Sequence, residues 1–271
     1  MAELVKVNEI KITTGTSTNI INANIVANTK LPVMRATSLH DWRNKIPFAI
    51  VGGGASLKQT INELKDYRYV MVCGSAHDYL VQNNVYPDYC VICDPDKLVL
   101  EYIKYPVRRC TYLVASQCDP KVFEYLQYNS CKVVIWHCAG NDEENKVFAD
   151  GEILVGGGCT VGTRAISLAI NFGFNTFDLY GFDTCVTEDG SHAYDFSNPE
   201  VEQLKDVIEV DLAGTKFKMA GYMMGQFFDF QKLILGYGAH CSFNIHGHGA
   251  LYHLMQLSNT IVKDNDNGTA R

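Results

Sequence analysis

From Pro47 onward the chain repeats one device: a short apolar run, then a stretch whose apolar residues recur with helical spacing. The runs are Pro47–Val51, Tyr69–Cys73, Tyr89–Cys93, Thr111–Ala115, Lys132–Trp136, Glu152–Val155 and Phe177–Phe182. They are apolar almost throughout rather than at every second residue, so both faces of each strand must be covered. That pattern specifies a mostly parallel sheet with helices on both faces, an α/β fold. Expected helices begin at Ser56, at Ser75, after Asp94, at Asp119-Pro120 and at Thr160.

Two regions depart from this rhythm. Val207–Met219 alternates polar and apolar residues around Ala213-Gly214, which predicts a late antiparallel β-hairpin. A helix from about Tyr222 to Tyr237, a strand over Cys241–Ile245 and a helix from Gly249 are expected to follow it. Residues 1–45 read as a lead-in segment, with a strand in Val5–Ile12 and then a polar Asn/Thr-rich stretch. The main domain is placed at 46–262 and a flexible tail at 263–271.

With 271 residues, 47% of them hydrophobic and 20% charged, the chain can bury one large core. Its formal charge is −7, without a run of like charges, which argues against nucleic acid held through its phosphates and leaves room only for a local basic pocket. Of the 10 cysteines, Cys73, Cys90, Cys93 and Cys110 fall inside apolar runs, as buried thiols of a reducing compartment do. The amino terminus has no signal-peptide core, and no run approaches the roughly 20 apolar residues of a membrane helix. The expectation is a cytoplasmic protein without a membrane partner, its oligomeric state left open.

The chemistry collects at the ends of the strands. Gly52-Gly53-Gly54-Ala55-Ser56-Leu57 stands between a buried strand and a helix, where glycines allow close backbone approach and helix N–H groups attract anions. As the first βα turn it is also expected at a topological switch point. The bland alternative is a tight turn with a Ser56/Gln59 capping box. No lysine completes a phosphate loop. Leu57 stands where GxGxxG needs its third glycine, and no acidic residue ends the next strand, which disfavours a nicotinamide dinucleotide. Gly156-Gly157-Gly158-Cys159-Thr160 repeats the device before the helix expected from Thr160, with a Thr160 helix cap as its bland alternative. Gly52, Gly53, Gly54, Ser56, Gly157, Gly158 and Thr160 are therefore the candidate nucleotide-binding residues.

Three acidic positions follow strands. Asp94 and Asp96 in Asp94-Pro95-Asp96-Lys97, with Asp183 in Gly181-Phe182-Asp183-Thr184, are candidate Mg²⁺ ligands beside phosphates. Asp94-Pro95 also suits a helix cap, and Asp119-Pro120, which lacks glycine neighbours, is the control for that reading. Asp94, Asp183 and His192 are the candidate catalytic residues, His192 as a proton carrier near neutral pH. Cys90 and Cys93 have metal-type spacing but lie in a strand and do not complete a tetrahedral site. His246 and His248 flank Gly247, and metal ligation and a place at the pocket mouth both remain open for them.

The runs Val51–Lys65, Asn83–Asp96, Gly156–Phe174 and Leu179–Tyr194, in this order, resemble the family that includes archaeal 6-hydroxymethylpterin diphosphokinase. That family is in turn similar to the central domain of bacterial motility accessory factors and, more distantly, to a bacterial sialyltransferase fold. The resemblance covers about residues 47–195. It departs from the family's Gly-Pro-Ser-Leu at Ala55, and it fades after about residue 200. It implies a Rossmann-like domain binding a nucleotide at the first glycine turn, with Asp94 and Asp183 at the family's acidic positions. Its expected reaction is Mg²⁺-assisted transfer of diphosphate from ATP to a hydroxymethyl-type small-molecule acceptor, which demands positioning and charge neutralisation. A glycosyltransferase using a nucleotide sugar, with His192 or His248 assisting the acceptor, and a non-catalytic nucleotide-binding module are the alternatives.

Overall fold

The computed structural model of the chain describes residues 16–37, 46–139, 151–194 and 207–257. The strand expected in Val5–Ile12 and the tail from residue 263 lie outside them. The polar stretch of the lead-in forms a helix, α1 (Thr18–Asn28), followed by a short strand, β1 (Met34–Arg35). Its asparagines work as packing groups. Asn28 Nδ2 donates to the carbonyl oxygens of Ser116 and Cys118, and Asn24 Nδ2 to that of Gln117. These contacts tie α1 to the loop after β5 through backbone carbonyls.

The chain then runs through β2 (Phe48–Val51), α2 (Leu57–Thr60), β3 (Val70–Cys73), α3 (His77–Gln82), β4 (Tyr89–Ile92), β5 (Thr111–Ala115), α4 (Pro120–Tyr128) and β6 (Lys132–Cys138). The helices expected from Ser56, Ser75 and Asp94 prove short. Four residues of α2 continue as a 3₁₀ turn over Ile61–Asp66, and the segment after Asp94 is a 3₁₀ turn over Lys97–Tyr102. After β6 come β7 (Leu154–Val155), α5 (Val161–Asn171), β8 (Thr176–Tyr180), β9 (Ile208–Leu212), β10 (Thr215–Met219), α6 (Gly221–Tyr237), β11 (Ser242–His246) and a last helix, α7, over 250–257.

Nine strands form one sheet in the order β1-β6-β5-β4-β3-β2-β8-β11, with β7 beside the end of β6. Every pairing in it between named strands is parallel. All residues of β2 and β3 are buried, as their unbroken apolar composition demands. On the sheet, α5 packs over β2, β3 and β4, and α4 over β6. The expected hairpin is present: β9 and β10 pair antiparallel, and Ala213 and Gly214 take φ of 52° and 86°, as a two-residue hairpin turn requires. Among the described residues no helix is long and apolar enough to cross a membrane.

Candidate active site at the strand order reversal

After β2 the chain steps to β3, β4, β5 and β6 in one direction, then returns to place β8 on the other side of β2. The carboxyl ends of β2 and β8 therefore flank the crevice where open α/β sheets take ligands. A cleft of about 530 Å³ opens there. Gly52, Gly53, Gly54, Asp94, Asp96, Thr160 and His192 line it; Ser56, Gly157, Gly158 and Asp183 are not among its lining residues.

The first glycine turn is tied down by its own amides. Gly52 N–H donates to the Tyr180 carbonyl at 2.8 Å, Gly54 N–H to that of Gly181 at 2.8 Å, and Ser56 N–H to Asp183 Oδ2 at 2.8 Å. Ser56 Oγ donates to Asp183 Oδ1 at 2.5 Å. Asp183, 3% exposed, thus spends both carboxylate oxygens on Ser56. The second chain layer over this clamp comes from the His246–Gly249 segment. A Cβ at Gly247 would lie 2.6 Å from Ser56 Oγ, and one at Gly249 would lie 2.3 Å from the Asp183 carbonyl oxygen. The glycines of that motif, unexplained in the sequence, let it close over Asp183. Its histidines stand away from the cleft lining: His246 stacks on Tyr180 and contacts Asp178 at 2.9 Å and Glu63 at 3.2 Å, while His248 is exposed.

The second glycine turn is built differently. Gly157 and Gly158 adopt φ of 110° and 96°, where a side chain is strained. Cys159 N–H donates to Asp229 Oδ2 at 2.8 Å, and a Cβ on Gly158 would collide with that carboxylate. One residue later Thr160 opens α5, an 11-residue helix, without capping it through its side chain. Thr160, Val161, Gly162 and Arg164 all line the cleft. Arg164, held by a 2.9 Å bond to the Val155 carbonyl, is the residue that sequence reading missed. The available signal was its isolation, because no other lysine or arginine occurs between Lys146 and Lys205.

On the far wall, Asp94 Oδ1 accepts the Asp96 N–H at 2.9 Å, and Asp96 Oδ1 accepts the Leu98 N–H at 2.8 Å. Asp96, not Asp94, therefore caps the 3₁₀ turn, whereas the control residue Asp119 does cap α4 with Pro120 in its first turn. The Asp94 turn presents two carboxylates to the cleft instead of starting a helix. His192 sits against the first glycine turn, since Ala193 N–H donates to the Gly53 carbonyl at 3.0 Å. Its Nδ1 lies 3.0 Å from Ser191 Oγ, and burial lowers its pKa to about 4, leaving the imidazole neutral at physiological pH.

None of the 10 cysteines forms a disulfide, and burial raises the thiol pKa of Cys73, Cys90, Cys110 and Cys118. Among the described residues no group of three or more His, Cys, Asp or Glu side chains is arranged to hold a metal ion unaided.

A model of the family described as 6-hydroxymethylpterin diphosphokinase MptE-like matches residues 21–189. The match begins earlier than the expected residue 47, taking in most of α1 with β1 and both glycine turns, and stops before His192. No curated protein matches the sequence. Among solved structures, the fold is similar to that of the MAf glycosyltransferase from Magnetospirillum magneticum AMB-1, with a TM-score of 0.66 and 18% identity over 87% of this chain. This chain spans only 38% of that protein. The sialyltransferases Cst-I and CstII from Campylobacter jejuni align at TM-scores of 0.36 and 0.31, with 12% and 13% identity, over 79% and 74% of this chain and 80% and 79% of theirs.

Proposed function

The chain belongs to the 6-hydroxymethylpterin diphosphokinase MptE-like family, and on that premise we propose that it is a nucleotide-dependent transferase working in the cleft at the strand order reversal. Its reaction is transfer of diphosphate from ATP to a hydroxymethyl-type small molecule. The observation that carries the reading is the convergence of the first glycine turn, the start of α5, the Asp94 turn and His192 on one cleft of about 530 Å³.

The ligand's orientation follows from which amides are already spoken for. Three N–H groups of the first turn bond within the protein, and the Asp183 carboxylate stands at the start of α2, where a phosphate would otherwise sit. That turn then receives an uncharged part of the nucleotide. The phosphates lie toward the start of α5, whose first-turn N–H groups and dipole favour anions and where Arg164 adds a full charge. Asp183 is a positioning residue in this scheme, and Ser56 its partner.

Arg164 shares the cleft lining with Asp94 and Asp96, so the cleft carries no excess of positive charge to hold a triphosphate. Mg²⁺ fits this donor set: it is commonly held by one or two carboxylates with water and substrate phosphates, and Asp94 and Asp96 would hold it. When bound it would neutralise phosphate charge. The acceptor hydroxyl oxygen forms a bond to the β-phosphorus as the bridge to the α-phosphorus breaks, releasing AMP. His192, neutral and anchored by Ser191, accepts a hydrogen bond from the acceptor hydroxyl and orients it, and the hydroxyl proton passes to a phosphate oxygen as that bond forms.

A second reading, glycosyl transfer from a nucleotide sugar, is favoured by the same shortage of cations, because such a donor carries fewer charges. Thermal-shift titration with ATP and with nucleotide sugars, with and without Mg²⁺, on the wild type and Asp94→Asn separates the two. Diphosphate transfer predicts a Mg²⁺-dependent ATP shift, weakened in the variant, and AMP release with a hydroxymethyl acceptor. A metal-indifferent shift with a nucleotide sugar, and none with ATP, sinks it.

A further inference from the structure

At the opposite, amino edge of the sheet, the loops entering β3, β4 and β5 enclose a second pocket of about 300 Å³. Three cations converge on it, Lys65, Arg68 and Arg109, against a single carboxylate, Asp88. Asp88 is engaged elsewhere, its Oδ2 accepting the Val70 N–H at 2.9 Å. None of the three cations forms an ion pair among the described residues. Both guanidiniums are held in place without being neutralised. Arg109 donates to the Tyr86 carbonyl at 3.2 Å and lies 5.3 Å over the Tyr86 ring; Arg68 lies 5.3 Å over the Tyr69 ring. In a chain of net charge −7 these three exposed cations, two of them ordered over tyrosine rings and none in an ion pair among the described residues, give one concavity a lining complementary to a multiply charged anion.

We propose that this pocket is an anion site, separate from the cleft, for a small phosphate-bearing molecule with at least two negative charges. The volume lies at the lower end of the range for small-molecule sites, roughly 300 to 1,000 Å³. Neither the fold nor the charge argument depends on what the cleft does.

The test is an amide NMR titration of the full ¹⁵N-labelled chain with sodium pyrophosphate, against sodium chloride at matched ionic strength. Saturable shifts are expected at the amides of residues 84, 85, 86 and 88 and at the Arg109 Nε–H, with affinity at least tenfold weaker in Arg68→Ala/Arg109→Ala. Lys65→Ala, an exposed change that leaves both tyrosine contacts intact, should weaken binding about threefold, on the order of 0.7 kcal/mol. Equal shifts in chloride, or unchanged pyrophosphate affinity in the Lys65 and double variants, would overturn the site. Shifts at Gly53 and Gly162 report on the cleft separately, so either site can fail without the other.

Discussion

The turn after β2 and the turn after β7 each set three glycines between a strand and a helix, and each receives a carboxylate from far along the chain: Asp183 in the first, Asp229 in the second. In the first, the carboxylate takes both the N–H and the hydroxyl of Ser56, the residue that opens a four-residue helix. In the second, it takes the N–H of Cys159, one residue before the cap, and leaves the start of an 11-residue helix uncapped beside Arg164. The glycine count is the same and the ligand-facing chemistry is not. What decides whether such a turn can hold an anion is where the protein's own carboxylate lands.

Removing the carboxylates should divide the turns most sharply. Asp183→Ala strands two buried donors and is expected to cost about 3–5 kcal/mol in urea unfolding, since a hydrogen bond to a charged group contributes roughly 1.5–3 kcal/mol. Asp229→Ala removes one backbone bond and an exposed ion pair to Lys232 at a less enclosed site, and about 1–2 kcal/mol is expected. Equal losses would erase the distinction between a clamped and an open turn. Arg164→Ala comes next: nucleotide affinity should fall about tenfold, or 1.4 kcal/mol, with little change in unfolding, whereas Ser56→Ala should lower stability with a smaller change in affinity. The reverse pattern would move the phosphates back to the first turn.

A further effect is on pH. The His192 pKa of about 4 lies below the unfolded value of about 6.5, so between these values the unfolded chain binds more protons. Stability attributable to His192 is present above pH 6.5 and is lost as pH falls toward 4. His192→Gln should flatten this slope. His137, shifted downward by its own burial, remains in both proteins, so the difference between the two curves isolates His192.

The buried parallel strands were legible because covering both faces leaves no polar alternation, and the hairpin because Ala213-Gly214 interrupts one that is present. The helix α1 was not, since Asn24 and Asn28 read as surface residues until the carbonyls of Ser116, Gln117 and Cys118 are brought to them. The same limit applied in the cleft. Asp94-Pro95 and Asp119-Pro120 look alike in sequence, yet only Asp119 caps a helix, because Asp94 turns back onto Asp96 and delays the helical turn. The positions of Asp94, Asp96 and His192 could be anticipated from strand ends; the pairing of Asp183 with Ser56, 127 residues apart, could not.

The pairing of β2 with β8 also bears on how the molecule is made. Phe48 lies beside Phe177, while the other neighbour of β2 is the next strand in the chain. During synthesis at about 5–20 residues per second, β2 must wait several seconds with one edge unsatisfied before its second partner leaves the ribosome. Closing so long a loop is slow relative to local pairing. The β2–β6 half can collapse first, but the clamp on the first glycine turn can be set only when β8 docks, making the cleft among the last parts of the nascent protein to become native.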